Sequence, residues 1–266
     1  MSDLRQAVDG DELALLFQPK VPLGSSNEYF VEALVRWNHP ARGVVSPLEF
    51  IPFAEQTGYI RAITQWVLRN AVKQCAAWRA RGLPVNVSVN LSARDLMDQE
   101  LPERFGAMLQ ESSCAARWFT LEITESAILD DPAHAIGNLK RLNALGCRLA
   151  IDDYGTGYSS LAYLRHLPVH ELKIDKTFVI GMGRDASDGV IVRSTVDLAH
   201  NMGLAVVAEG VEDEDTFEQL RALRCDQAQG YWLSRPLAAD QAVEWMKSSP
   251  WTRPVAPEIK ALRRVV

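Results

Sequence analysis

The chain of 266 residues, 47% of them hydrophobic, can bury one large core or two small ones, and α/β barrels reach this length as a single domain. A formal charge of −6 argues against a protein that wraps polymeric nucleic acid on a basic stripe, but leaves room for a small anion held by metal. Cys75, Cys114, Cys147 and Cys225 are scattered and form no C-x-x-C pair, which argues against a zinc knuckle or a disulfide framework, and no apolar run approaches the roughly 18 residues of a membrane helix. The expectation is a cytoplasmic protein without a membrane segment of its own, compatible with a module of a larger, membrane-attached protein.

In chain order, a short polar start leads to an apolar run of strand length, Leu13 to Phe17, which Gln18-Pro19 is expected to end or place at an edge. Tyr29 to Val35 is the second strand. Its period of two carries Glu32, Leu34 and Arg36 on one face, and a charge on a buried strand face needs a partner or a metal. Pro47 to Thr57 and Ile60 to Arg81 have helical spacing, the second stopped by Gly82 and Pro84; Val85 to Asn90 is a β-branched strand ending in an amide. The rhythm continues with a helix over Leu101 to Leu109, a strand over Trp118 to Ile123, a helix over Asn138 to Leu145 and the strand leading to Asp152. It goes on with a helix over Ser160 to Leu167, a strand over Glu171 to Ile174, and a helix over Val190 to Met202. A strand over Leu204 to Ala208, a helix over Thr216 to Leu223, a short segment at Asp226 to Gly230 and a helix over Ala239 to Lys247 complete it. The domain is expected over 1–249, with 250–266, rich in proline, as a tail.

Eight strand-like segments alternating with helices imply a parallel sheet, closed as a TIM-type barrel or open and doubly wound. The link from Gln18 to Tyr29 is too short for a helical crossover, so the first two strands are expected to be antiparallel.

The stretch Leu149 to Leu161 delivers Asp152 and Asp153 from an apolar strand into a Gly-rich turn. Alone, an Asp-Asp-x-Gly turn is as well explained as a solvated acidic loop, a strand-end Glu as a salt-bridge partner, and Lys173 as a surface lysine. Together, Glu32, Asn90, Glu122, Asp152, Asp153, Lys173, Glu209 and Gln229 all stand near strand C-terminal ends, which converge on one mouth in an α/β barrel. Crowded carboxylates repel unless divalent cations neutralise them, and a donor set of carboxylate and amide oxygens without His or Cys suits Mg²⁺ or Mn²⁺ better than zinc.

These residues stand in an ordered series: Glu32-Ala33-Leu34 with Val35-Arg36-Trp37, Ser88-Val89-Asn90-Leu91-Ser92, Leu121-Glu122-Ile123-Thr124-Glu125, Asp152-Asp153-Tyr154-Gly155-Thr156-Gly157, Leu172-Lys173-Ile174-Asp175, Ala208-Glu209-Gly210-Val211-Glu212 and Gln229-Gly230-Tyr231. From about Leu13 to Lys247 the series resembles the motifs of EAL-domain cyclic-di-GMP phosphodiesterases. The resemblance implies a modified TIM (β/α)8 barrel with an antiparallel first strand and hydrolysis of cyclic di-GMP to linear pGpG with Mg²⁺ or Mn²⁺, Ca²⁺ being inhibitory. It implies that Glu32, Asn90, Glu122 and Asp152 hold one cation and that Asp152, Asp153 and Glu209 hold a second, a pair that would lie roughly 3.5 to 4 Å apart. It further implies Lys173 and the general base Glu209 as catalytic groups beside Asp153, substrate binding by Arg36, Leu34, Gln18 and Gln229, anchoring of the Asp152 to Ser160 loop by Glu125, and a homodimer through that loop region. Tyr154 stands where Phe is common in the family. The alternatives are a receptor that binds the dinucleotide without cleaving it and a barrel hydrolase of other phosphodiesters.

Overall fold

The first two strands of the computed structural model, which describes residues 2–129, 131–155 and 164–252, fix the direction of everything that follows. β1 (Leu13–Pro22) and β2 (Tyr29–His39) pair antiparallel from Leu13 opposite Trp37 to Lys20 opposite Phe30. A three-residue strand, β3 (Gly43–Val45), folds back on the end of β2. From β2 the ladder is parallel through β4 (Val85–Leu91), β5 (Phe119–Thr124), β6 (Arg148–Tyr154), β7 (Glu171–Ile174), β8 (Ala205–Ala208) and β9 (Gln227–Ala228). β9 pairs antiparallel with β1, so eight strands close a barrel and β3 lies outside the ring. The closed, modified barrel with a reversed first strand is the architecture expected, and the open sheet is set aside.

The ladder register carries one parity around the ring. Gln18 opposes Glu32, Glu32 opposes Ser88, Asn90 opposes Glu122, Glu122 opposes Ala150, Ala150 opposes Glu171, and Lys173 opposes Val207. This face is the barrel interior, and it is strongly polar. The other face carries Val31, Val87, Val89, Leu121, Ile123, Leu149, Ile151, Leu172, Ile174, Val206 and Ala208, all buried, and packs outward against the helices. In Ile60–Ala80 the buried residues Ile63, Val67, Ala71, Cys75 and Trp78 recur at helical spacing, and Trp78 meets Phe17 edge-on with centroids 4.8 Å apart. Gly82, at φ +78, supplies the left-handed turn after this helix.

Several boundaries differ from the sequence reading. β1 does not end at Gln18-Pro19. Phe17 exchanges hydrogen bonds of 2.7 and 2.9 Å with Leu237, and pairing with β9 starts at Val21, so the missing N–H of Pro19 falls between the two contacts. The polar start is a helix, Ser2–Asp9, that buries Leu4 and Ala7. The helices Pro132–Ala144 and Ala186–Asn201 begin earlier than expected because Asp131 and Asp185 cap them, accepting from the amides of His134 and Ser187. Of the helix expected over Ser160 to Leu167, residues 160–163 lie outside the described residues. No helix among the described residues is long and apolar enough to cross a membrane, and all four cysteines are buried and free.

Candidate active site

A bulge at the end of β6 brings the two adjacent aspartates together. In a regular strand Asp152 and Asp153 would point to opposite faces. Here the register with β7 shifts between Ile151 and Tyr154, and Asp153 takes φ 52, a left-handed conformation that Asp tolerates better than most residues. As a result, carboxylate oxygens of Asp152, Asp153 and Glu209 lie within 4.8 Å of one another. Glu209 arrives one residue after β8, its amide donating to the carbonyl of Ile174 at 3.1 Å.

Lys173 sits at the centre of the acids. Its ammonium is 2.6 Å from Glu122 Oε2, 2.7 Å from Glu209 Oε1 and 3.0 Å from Asp152 Oδ1. It is 1% exposed, which replaces the reading of a surface lysine with that of a buried one. On the other side of the mouth Glu32 accepts from Asn90 Nδ2 at 2.6 Å and from Gln229 Nε2 at 2.7 Å. Gln229 Oε1 is buried and has no hydrogen-bond partner. Gln18 reaches the same mouth from the reversed strand and donates to the Ser234 carbonyl at 3.1 Å.

Burial and repulsion divide these acids into two kinds. Burial would raise Glu122, but the ammoniums of Lys173 and Lys20 hold it down at about 2, an ionised carboxylate. Burial pushes Glu209 up to about 8 against the pull of Lys173, with Asp152 and Glu32 adding repulsion. Burial and the neighbouring Asp152 and Asp175 carboxylates push Asp153 to about 6. Burial also raises Glu32, and although burial opposes it, the surrounding acids, Asp152 first, hold Lys173 well above the ordinary lysine value. Such displaced values mark sites where cations or protons are handled.

The donors fit a hard divalent cation: clustered carboxylate oxygens, an unpartnered amide oxygen at Gln229, and neither thiol nor imidazole among them. The mouth cavity, about 400 Å³, is lined by Gln18, Glu32, Asp152, Lys173, Glu209 and Gln229 among others. A second cavity of about 400 Å³ adjoins it, sharing Leu34, Asn90 and Asp152 and adding Arg36 and Ile51.

The structure therefore gathers Glu32, Asn90, Glu122, Asp152, Asp153, Lys173, Glu209, Gln18, Gln229 and Leu34 around one mouth, with Arg36 in the adjoining cavity. There Arg36 donates to the Val35 carbonyl at 2.9 Å. Glu125 opens the helix Glu125–Leu129 directly after β5, while residues 156–160 of the loop it was expected to anchor lie outside the described residues. Sequence reasoning missed Lys20 and Glu171. Both are buried beneath the mouth, and their period of two with Gln18 and with Lys173 is the signal that finds them.

An eight-stranded barrel with a reversed first strand and an acidic, oxygen-donor mouth at its parallel strand ends is a well-defined class. The chain belongs to the EAL domain family, whose family model matches residues 1–236. It is 38% identical over 249 residues to the cyclic di-GMP phosphodiesterase PA2567 of Pseudomonas aeruginosa, covering 93% of this chain and 42% of that protein. It is 41% identical over 242 residues to the bifunctional diguanylate cyclase/cyclic di-GMP phosphodiesterase MucR of the same species, covering 91% of this chain and 35% of the relative. A solved MucR phosphodiesterase in complex with c-di-GMP superposes with a TM-score of 0.86 at 41% identity, over 91% of this chain and 98% of that one. The chain thus spans less than half the length of these curated relatives.

Proposed function

We propose that this chain is a metal-dependent phosphodiesterase that hydrolyses cyclic di-GMP to linear pGpG. The observation that carries the reading is the gathering of Glu32, Glu122, Asp152, Asp153 and Glu209 around Lys173, at the junction of two cavities large enough for the halves of a cyclic dinucleotide. Glu32, Asn90, Glu122 and Asp152 would hold one divalent cation, and Asp152, Asp153 and Glu209 a second. Bound Mg²⁺ or Mn²⁺ would polarise the phosphodiester and lower the pKa of water.

In this reading Glu209 takes the proton of the attacking water. Its carboxylate reaches the mouth beside Asp152 and Asp153, where the attacking water would sit. The water oxygen bonds to phosphorus, the bond from phosphorus to the ribose 3′ oxygen breaks, and the departing oxygen takes up a proton. Lys173 stays an ammonium, orienting Glu209 and Asp152 and donating to the water, and does not serve as a base. Arg36, Leu34, Gln18 and Gln229 would line the substrate, Arg36 with a planar fork suited to phosphate. Homodimerisation through the acidic-loop region belongs to the same reading and rests on the family resemblance, while work in the cytoplasm is proposed from the sequence pattern, in which no apolar run reaches the length of a membrane helix. Sedimentation that shows only monomer in fully active protein speaks against the dimer.

The test is turnover by purified protein with Mg²⁺, Mn²⁺, Ca²⁺ or EDTA, following pGpG by chromatography. The expected result is pGpG with Mg²⁺ or Mn²⁺, none with EDTA, and substrate bound but intact with Ca²⁺, whose looser coordination positions water poorly. Cyclic di-GMP bound and left intact under every cation would instead make the chain a receptor.

A further inference from the structure

Beneath the mouth, the barrel interior holds a second layer of charge that the reaction described above does not use. Lys20, from the reversed strand, is 3% exposed, and its ammonium meets three groups from three other strands: Ser88 Oγ at 2.6 Å, Glu122 Oε1 at 3.1 Å and Glu171 Oε1 at 3.5 Å. Glu122 is 0% exposed, and its other oxygen, Oε2, is the one held by Lys173 at 2.6 Å. A single carboxylate is therefore gripped by two ammoniums, one per oxygen and one from each layer.

The interior of an eight-stranded barrel is ordinarily filled by branched apolar side chains, and a buried lysine costs desolvation that a methionine of similar length would not. Filling space thus gives no reason for an ammonium here. Holding Oε1 does: Lys173 is shared among three acids and holds Oε2, while Lys20, together with the Ser88 hydroxyl, restrains rotation of the Glu122 carboxylate about its last bond. The reversal of β1 makes the contact available, because it sets Gln18 in the mouth and Lys20 one step deeper on the same face.

Building on the phosphodiesterase reading, we propose that Lys20 is a positioning residue that fixes the Glu122 carboxylate from below so that it presents a set geometry to a divalent cation in the mouth. The competing account is that Lys20 only neutralises Glu171. The two differ in the double variant Lys20→Met/Glu171→Gln, which keeps the interior charge and volume but removes the grip on Glu122.

Mn²⁺ affinity is measured by calorimetry and by the electron paramagnetic resonance signal of the ion, together with kcat and KM for cyclic di-GMP, in the parent, Lys20→Met and the double variant. Positioning predicts that both variants bind Mn²⁺ roughly 10- to 100-fold more weakly and lose kcat with KM little changed, as is usual when an outer partner of a ligand is removed. If Lys20→Met fails to fold, the charge-balanced double variant decides. Parent-like Mn²⁺ affinity and kcat in the double variant overturn the proposal and leave the phosphodiesterase reading intact. A parent that takes up no Mn²⁺ and leaves cyclic di-GMP whole overturns both.

Discussion

Replacing Lys173 with methionine removes the cation that three acids share and leaves the volume filled. Glu122 is wholly buried, whereas the Asp152 and Glu209 side chains keep 13% and 21% exposure. Breaking a buried pair by removing one partner costs about 3–5 kcal/mol, and the partial exposure of two of the acids favours the lower end. At roughly 2–4 °C per kcal/mol for a chain of this size, about 3 kcal/mol corresponds to roughly 6–12 °C in Tm. The sign with pH follows from the direction of the shift. Lys173 is held well above 10.5, so its contribution is fully present below the ordinary lysine value and is lost only as pH rises through its raised one. In the variant, protonation of the orphaned acids relieves their repulsion, so its deficit shrinks at acid pH and grows towards neutrality. The assay is thermal unfolding in EDTA from pH 5 to 8, repeated with Mn²⁺, which is expected to return part of the lost stability while turnover stays absent. A variant melting within about 2 °C of the parent at pH 8 in EDTA would show that the ammonium does not hold the mouth together.

Glu209→Ala is expected to abolish pGpG formation with the Tm retained, and near-normal turnover would remove Glu209 as the base. With Glu209 raised to about 8 and Asp153 to about 6, both must lose protons to bind a cation. Mn²⁺ affinity should accordingly tighten as pH rises from 6 to 8, with proton release at pH 7 visible as a buffer-dependent heat, and an affinity flat over that range contradicts the assignment. A Cβ at Gly230 would lie 2.1 Å from the Val211 carbonyl oxygen, so Gly230→Ala must push apart backbone that carries Gln229. A loss of about 1–3 kcal/mol in urea unfolding with reduced turnover is expected, and parent-like values for both would refute it. Trp78→Ala, which empties a buried site against Phe17, should cost about 3–5 kcal/mol by the same measurement.

Where a residue's environment is set by local pattern, the sequence alone suffices. The apolar face of β6, the amide next to the end of β4 and Glu209 after β8 follow from period and position, and the short link after β1 announces an antiparallel pair. Long-range partners decide the rest. Pro19 reads as a strand end because its missing donor is a local fact, while the gap between Leu237 and β9 that accommodates it joins residues more than 200 positions apart. That misplaced end hides Lys20, which then falls outside the strand and its interior face. The bulge that turns Asp153 beside Asp152 is likewise invisible in an Asp-Asp pair, because a register shift belongs to two strands and not to one.

The ring of strands is uneven in a way that bears on how force would travel through it. β1 grips β2 along eight paired positions but meets β9 at only two, helped by the Leu237 bridge and the Gln18 contact with Ser234. β9 meets β8 at two positions as well, so the barrel is a hoop in which the short strand β9 is a clasp that is narrow on both sides. The helix Ser2–Asp9 leads straight into β1 at Leu13, so a pull or twist applied at that end meets the pairing with β2 first and reaches the β9 contact, at Val21 and Pro22, last. Sliding β1 by a fraction of a residue would move Gln18 in the mouth and Lys20 under Glu122 together, so this one strand ties the rim of the mouth to the charged layer beneath it.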